Sequence, residues 1–364
     1  LWDIDFFINR SLVYSAAALV IVSVFFGVSV ILQSVLGSQQ LGIALVISAV
    51  IAALAFNPAR RRAQHWVDRL IYRLNFDLDE VAAAQVTLKF KNPGALTGRR
   101  LGVYDVLGVV GKGGMGEVYE GQNGGRRVAL KVLPADLAGQ AGLRRRFERE
   151  AEALAKLRHP NIVKLIDSSI GDEAAYIALE YIEGQDLGAY LRRRKRLDID
   201  TARRIIRDCA AGLDYAHQNG YVHRDIKPSN ILLRMNPDGE PVGAVLSDFG
   251  VTKQDDAPTD LTNTGAIGTI DYMAPEQIMI AREVDRRADI YALGVVLYEM
   301  VTGERPFKGH TGQVLFGHLH QPPPDPRKIV DTIPNPVAHA IMRAMAKEPD
   351  DRFESAGAFA SALG

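Results

Sequence analysis

Four glycines fall within six positions, at Gly111, Gly113, Gly114 and Gly116, in the stretch LGVVGKGGMGEVYEG that runs from residue 107 to 121. Gly111, Gly113 and Gly116 fit the spacing G-x-G-x-x-G. Dinucleotide-binding domains use the same spacing, but there it joins a strand to a helix. Here the flanks are β-branched-rich runs, YDVLGVVG before and GEVYEGQ after, with RRVALKVLP as a third. Such runs, separated by glycine turns, predict antiparallel strands. A hairpin tip without Cβ atoms can lie against a triphosphate and turn its amides toward the phosphate oxygens. The chain is thereby limited to folds in which a sheet, rather than a helix terminus, covers phosphate.

The 364 residues allow about two or three domains. Lys plus Arg equals Asp plus Glu, 43 each, so charge gives no support to a nucleic-acid partner. The charge is unevenly placed, however. No Asp, Glu, Lys or Arg occurs between Arg10 and Arg60. Two apolar stretches, 11–36 and 41–59, fill that interval around a short GSQQ loop. A helix needs roughly 20 apolar residues to cross a bilayer, and lipid leaves no partner for an open backbone. Two such stretches in series do not fit the single short apolar region of a signal peptide. The expectation is a membrane hairpin over residues 1–59. Because the chain begins with Leu1 rather than Met, it reads as a fragment, and whether further spans precede it is left open. Arg60, Arg61, Arg62, Arg69 and Arg73 follow at once and place that side in the cytoplasm.

Residues 60–103 read as an amphipathic juxtamembrane helix and a linker. Trp66, Leu70 and Leu74 share a stripe, which suits either a helix lying on anionic lipid or a plain signalling helix. Cys209 is the sole cysteine, so no internal disulfide exists, and its apolar-periodic surroundings predict a core position.

After the three strands, AGLRRRFEREAEALAKLR has helical spacing at Phe147, Ala151, Leu154 and Leu157. Two more strands follow within residues 162–182, and helical runs dominate beyond Gly184. A small sheet-rich lobe precedes a larger helical one, an α+β arrangement.

Several charged side chains match phosphoryl-transfer chemistry, which needs positioning and charge neutralisation above all. Lys131 of VALK lies on a strand after the glycine turn, where a cation would hold phosphates. It needs an anionic partner, and Glu150 is the candidate. Glu148 and Glu152 point elsewhere, since successive helix positions diverge by about 100°. In YVHRDIKPSNILL, Asp225 can accept a proton from a hydroxyl and Lys227 can stabilise the transferring group. Asn230 can bind a metal ion, as can Asp248 of SDFG. His318 and His320 lack cysteine partners and do not predict zinc. The basic run LRRRKRL reads as a solvated helix end.

Residues 104–364 resemble a eukaryotic-like serine/threonine protein kinase domain of bacterial type. The ordered motifs GKGGMGEVY, VALK, Glu150, HRDIKPSN, DFG, GTIDYMAPE and DIYALG carry the resemblance. It implies a two-lobed kinase fold, with an N-lobe over 104–182 and a C-lobe over 183–364. ATP and Mg2+ follow as cofactors, with Mn2+ as an alternative ion. Val118 and Ala129 would roof the adenine, and Leu232 would floor it. Leu179 would be the gatekeeper, with Glu180 and Ile182 offering backbone hydrogen bonds. Leu154, Leu165, His223 and Phe249 would stack as a spine on Asp289, and Glu276 would pair with Arg352. Lys227, with Thr269, implies serine or threonine acceptors on protein substrates. Arg224 would receive a phosphate on Thr262 or Thr264, placed there by autophosphorylation. Residues 1–77 loosely resemble the last two spans and following helix of bacterial multi-span sensor kinases. That resemblance implies a bilayer partner at the inner membrane and is compatible with a kinase homodimer. The rival readings are a pseudokinase that only binds, and a membrane sensor whose output is the kinase.

Overall fold

The computed structural model describes residues 92–113, 116–134, 141–171, 175–249, 252–253, 270–279 and 284–364. The expected spans, the juxtamembrane helix, Thr262, Thr264 and Thr269 lie outside them. Among the described residues no helix is long and apolar enough to cross a membrane.

The small lobe is one antiparallel sheet of six strands. These are β1 (Arg100–Leu101), β2 (Tyr104–Gly113), β3 (Gly116–Asn123), β4 (Arg126–Leu133), β5 (Leu165–Ile170) and β6 (Ala175–Glu180), in the order β1-β2-β3-β4-β6-β5. Alternation along β4 explains its two faces. Val128, Leu130 and Val132 are buried on one side with Tyr104, Val106, Tyr119, Tyr176 and Ala178. Hiding a side chain such as Leu130 contributes about 1.5–3 kcal/mol. The other face carries Ala129 and Lys131 toward the large lobe.

Residues 92–103, the described end of the segment expected to be linker, are not separate from this lobe. Leu96 packs against the tyrosine-rich face and Leu101 is buried within it. The Val109 amide donates to the Asn92 carbonyl at 2.9 Å, and the Leu96 amide to Tyr119 Oη at 3.4 Å. A polar, glycine-containing segment hides this role, because its bonds run to residues distant in sequence.

Helix α1 (Ala141–Lys156) lies between β4 and β5. The run expected as a strand from residue 162 becomes strand only at Leu165. Its first residues are committed elsewhere: the Val163 amide donates to the Leu246 carbonyl and the Leu246 amide to the Asn161 carbonyl, at 2.9 and 2.8 Å.

The large lobe opens with β7 (Gly184–Asp186), β9 (Ile231–Met235) and β10 (Pro241–Leu246), paired as β10-β9-β7. A Cβ on Gly184 would stand 1.8 Å from the Leu233 carbonyl oxygen, so only glycine permits that approach. Helix α2 (Leu187–Arg194) starts where Asp186 accepts from the Ala189 amide at 2.8 Å, which satisfies a terminal donor. Its last turn holds Arg192, Arg193 and Arg194, exposed to solvent as the sequence predicts. Helix α3 (Ile199–Gln218) buries Cys209. The short strands β8 (Tyr221–Val222) and β11 (Thr252–Lys253) pair with each other.

Helices α4 (Pro275–Ile278), α5 (Arg287–Thr302), α6 (Thr311–His320), α7 (Asn335–Ala344) and α8 (Ala356–Ser361) complete the lobe. All but two of the sixteen residues in α5 are buried. A helix apolar on every side belongs at the centre, and α3, α7 and α8 surround it. It ends at Gly303 in the left-handed conformation, φ 79.

Candidate active site

Strand register assembles one wall of the cleft. Val118 pairs with Lys131, Lys131 with Ile177, and Ala129 with Leu179. Directly opposed residues share a face, as do alternate residues along a strand. Val118, Ala129, Lys131 and Leu179 therefore line the same side. Leu179 is buried, whereas Val118, Ala129, Ile182 and Leu232 are half-buried. The Glu180 amide is used, donating to the Lys164 carbonyl at 2.8 Å. What Glu180 offers a base is its carbonyl.

The glycine hairpin closes through the pairing of Gly113 with Gly116; residues 114 and 115 lie outside the described set. Gly116 has φ 141, and a Cβ there would meet the Val132 carbonyl oxygen at 2.3 Å. Glycine is required at this position by the chain itself. At Gly111 a Cβ would meet only Val118, at 3.8 Å. Any need for glycine there comes from what the hairpin covers.

Lys131 is the centre of a charge cluster. Its Nζ donates to Glu150 Oε1 and Oε2 at 2.7 and 2.8 Å and to Asp248 Oδ1 at 2.5 Å. Helix α1 holds Glu150 inward beside buried Phe147, Ala151 and Leu154. Glu148 instead bonds Arg144 near the surface, and Glu152 is exposed. Burial pulls the Lys131 ammonium down, but Asp248 and Glu150 outweigh it and the net shift is upward. Asp248 is lowered, chiefly by Lys131, while burial pushes Glu150 up against the same pull. The ammonium stays charged, and the negative charge is best held at Asp248. Lys131 thus spends its third donor on Asp248, where the sequence reading has it reaching phosphate.

The loop after β8 is held from the centre of the large lobe. Asp289 of α5 accepts from the amides of His223 and Arg224, at 2.8 and 2.7 Å, and from His217 Nε2 at 2.8 Å. Sequence reasoning missed His217, whose only signal is helical spacing toward the HRD segment. Arg224 has φ 62 and Asp248 φ 53. Non-glycine residues adopt this region at a penalty of about 1–3 kcal/mol, and only where the surroundings impose it. The Arg224 guanidinium donates to the Val284 carbonyl at 3.1 Å.

Asp225 Oδ2 receives Lys227 Nζ at 2.9 Å and Asn230 Nδ2 at 3.0 Å. Asn230 Nδ2 also donates to the Asp225 carbonyl at 2.8 Å. Asp225 Oδ1 is buried and has no hydrogen-bond partner among the described residues. A buried acceptor in that state is costly unless a donor arrives.

Asn230 and Asp248 come from the open ends of the β9–β10 hairpin, where Ile231 pairs with Leu246. The Ser247 amide and hydroxyl both donate to the Asn230 carbonyl, at 2.9 and 3.2 Å. The donors they present are hard oxygens, one carboxylate and one amide. So sparse a set suits Mg2+, which keeps waters and takes phosphate oxygens as its remaining ligands.

Of the residues expected to stack, two are seen in ring contact and the other two belong to the same core. The His223 and Phe249 rings lie 4.5 Å apart, Leu154 is buried, and Leu165 packs half-buried against the same core. Arg352 Nη1 and Nη2 donate to Glu276 Oε1 and Oε2 at 2.7 and 2.8 Å. His318 is no metal ligand. Tyr291 Oη lies 2.9 Å from its Nδ1 and the Asp271 carbonyl 3.0 Å from its Nε2.

Comparison with known proteins agrees with this geometry. The protein kinase domain family matches residues 104–361. The chain is similar to serine/threonine-protein kinase Pkn1 of Myxococcus xanthus, 40% identical over 273 residues, covering 74% of this chain and 39% of that one. PknJ of Mycobacterium tuberculosis is 41% identical over 267 residues, covering 71% and 44%. PrkC of Bacillus subtilis is 36% identical over 266 residues, covering 72% and 40%. The crystal structure of the M. tuberculosis PknI kinase domain aligns with a TM-score of 0.57 at 33% identity, covering 73% of this chain and 96% of that one. The chain spans only part of its curated relatives, between 38% and 56% of the length of eight of them.

Proposed function

This chain belongs to the protein kinase family, and on that premise we propose that it is a membrane-anchored kinase acting on serine and threonine hydroxyls of proteins. Kinases of this family use ATP and Mg2+, with Mn2+ as an alternative ion. The bound nucleotide supplies the γ-phosphoryl group, and the metal neutralises phosphate charge. The chain's own residues supply position and charge. Val118, Ala129 and Leu232 would hold the base, beside Leu179 and the backbone of Glu180 and Ile182. Gly111, Gly113 and Gly116 bring backbone close to the phosphates. Lys131, aimed by Glu150, would turn the donor now on Asp248 to the phosphates, and Asp248 with Asn230 would hold the ion.

The orphaned Oδ1 of Asp225 carries this reading. Its partner oxygen is already committed to Lys227 and Asn230, which leaves one buried acceptor for an incoming hydroxyl. A proton accepted there raises the nucleophilicity of the hydroxyl oxygen as it meets phosphorus, and Lys227 offsets charge on the moving group. Serine and threonine are the acceptors named for the relatives, and Lys227 fits them. Membranes holding the native chain or Asp225→Asn, given ATP and Mg2+, test it. Transfer should fall by about 10³-fold in the variant, within the range for loss of a general base. Equal transfer by both would overturn the reading.

The charge-free interval and the arginines after it support anchoring at a bacterial inner membrane, with residues 104–364 as a cytoplasmic kinase domain. The hairpin over 1–59 and the part of segment 60–103 that precedes residue 92 would connect it to the bilayer. Arg224 beside Asp225 supports activation by autophosphorylation at Thr262 or Thr264, in trans within a homodimer. A phosphate there adds roughly −1.5 to −2 charge. Phosphosite mapping that finds phosphate only outside residues 248–276 would remove this regulatory part.

A further inference from the structure

Gln277 has no role in any motif assigned above. It sits half-buried on α4, directly after Glu276. Its side chain bridges two elements. Oε1 accepts from the Ala274 amide at 3.1 Å, and Nε2 donates to the Arg224 carbonyl at 2.9 Å. One orientation of the side-chain amide satisfies both, because a backbone N–H only donates and a carbonyl only accepts.

The carbonyl that Gln277 holds belongs to a constrained residue. Arg224 is left-handed, φ 62, and its amide is tied to Asp289 Oδ1 at 2.7 Å. That bond restrains rotation about φ. Rotation about ψ turns the Arg224 carbonyl, and the Asp225 amide turns with it, since the two share one planar peptide. Among the described residues the Asp225 amide makes one contact of its own, a long one of 3.3 Å to His223 Nδ1. The bond from Gln277 therefore restrains ψ, and it sets the direction of Asp225 from one side while Asn230 holds the Asp225 carbonyl from the other.

We propose that Gln277 is a positioning residue for phosphoryl transfer. It clamps the Arg224–Asp225 peptide so that Asp225 Oδ1 faces the acceptor hydroxyl. It also joins that peptide to α4, the element that follows the segment carrying Thr262 and Thr264. The inference rests on the reading of Asp225 as acceptor base.

Steady-state kinetics of the full chain test it, with ATP, Mg2+ and dephosphorylated casein as acceptor. Gln277→Glu keeps the size and the bond to Ala274 but sets a carboxylate oxygen against the Arg224 carbonyl. Gln277→Met keeps the length and removes both bonds without repulsion. The expected kcat falls by about 10- to 100-fold for Gln277→Glu and about 5- to 10-fold for Gln277→Met, the scale of a misplaced catalytic group. The KM for ATP should stay within about twofold, as should the affinity for a fluorescent ATP analogue, because the Gln277 side chain bonds the backbone of Ala274 and Arg224, neither of which is among the residues proposed to hold nucleotide. A merely structural role would instead lower kcat in proportion to the protein still able to bind nucleotide. That proportional loss, or wild-type kcat in both variants, would overturn the proposal while leaving Asp225 as the base. An inactive native chain would overturn the acceptor-base reading itself.

Discussion

Two buried charge clusters in this molecule each set a basic side chain against carboxylates, and they differ in closure. Arg352 is 0% exposed and Glu276 9%, and the guanidinium spends all five N–H groups. Two go to Glu276, and the others to the carbonyls of Ala346, Arg287 and Lys347, at 2.8, 3.0 and 2.8 Å. The charges cancel and no donor is left over. Lys131 also fills its three donors, but against two carboxylates, and the Asp248 side chain remains 42% exposed. One cluster is neutral and sealed. The other carries an excess negative charge with an open side, the condition for receiving a cation. Closure, rather than burial, separates the sealed pair from the group proposed to meet the phosphates.

Substitutions can break this contrast. Lys131→Met should lower transfer by about 10³-fold or more, since it strips charge from the phosphate site. The unfolding midpoint should move little, because Glu150 can take up a proton once its cation is gone. Transfer assays beside thermal unfolding check both; a collapse of the fold would show the open cluster to be structural too. Arg352→Ala should do the reverse and cost about 3–5 kcal/mol of stability by leaving Glu276 buried and unpaired. Urea denaturation measures that loss, and Arg352→Met with Glu276→Leu should recover part of it. Glu150→Gln keeps a neutral acceptor beside Lys131 and should cost about 10²-fold in transfer, smaller than losing the lysine.

A fourth expectation concerns pH. His318 is buried beside Lys347, whose Nζ donates to the Gly317 and His318 carbonyls, and faces the Tyr291 hydroxyl. Burial, with Lys347 adding, pulls the ring down to about 3. In the unfolded chain it takes a proton near 6.5. Between those values the unfolded state binds more protons, so stability is full above about 6.5 and falls as the medium acidifies, by about 2 kcal/mol at pH 5. Unfolding midpoints at pH 7, 6 and 5 check it, and His318→Gln should flatten the slope. The smallest effect belongs to the exposed pair Arg144–Glu148, whose removal should change stability by about 0.5 kcal/mol or less.

The sequence made the local elements legible where periodicity and motif coincide. β4 alternates as VALK requires, α1 turns Glu150 inward, and Asn230 and Asp248 bracket a strand pair. It did not reveal bonds whose partners are chosen by tertiary packing. The segment 92–101 reads as linker because its partners, Val106, Val109 and Tyr119, are specified by the sheet. Gln277 adjoins a motif yet acts on a carbonyl fifty-three residues away. The strand expected from residue 162 starts late because Val163 is bonded to Leu246 in the other lobe.

The β9–β10 hairpin sets Asn230 and Asp248 at its open ends, and its bend lies at the far end, residues 236–240. Like a pair of tweezers, the gap between the tips depends on how the two arms are riveted along their length and not on the shape of the bow. Length can therefore be added at the bow without changing the spacing that a metal ion senses, which makes that bend a natural place to graft a tag or a reporter onto a working enzyme.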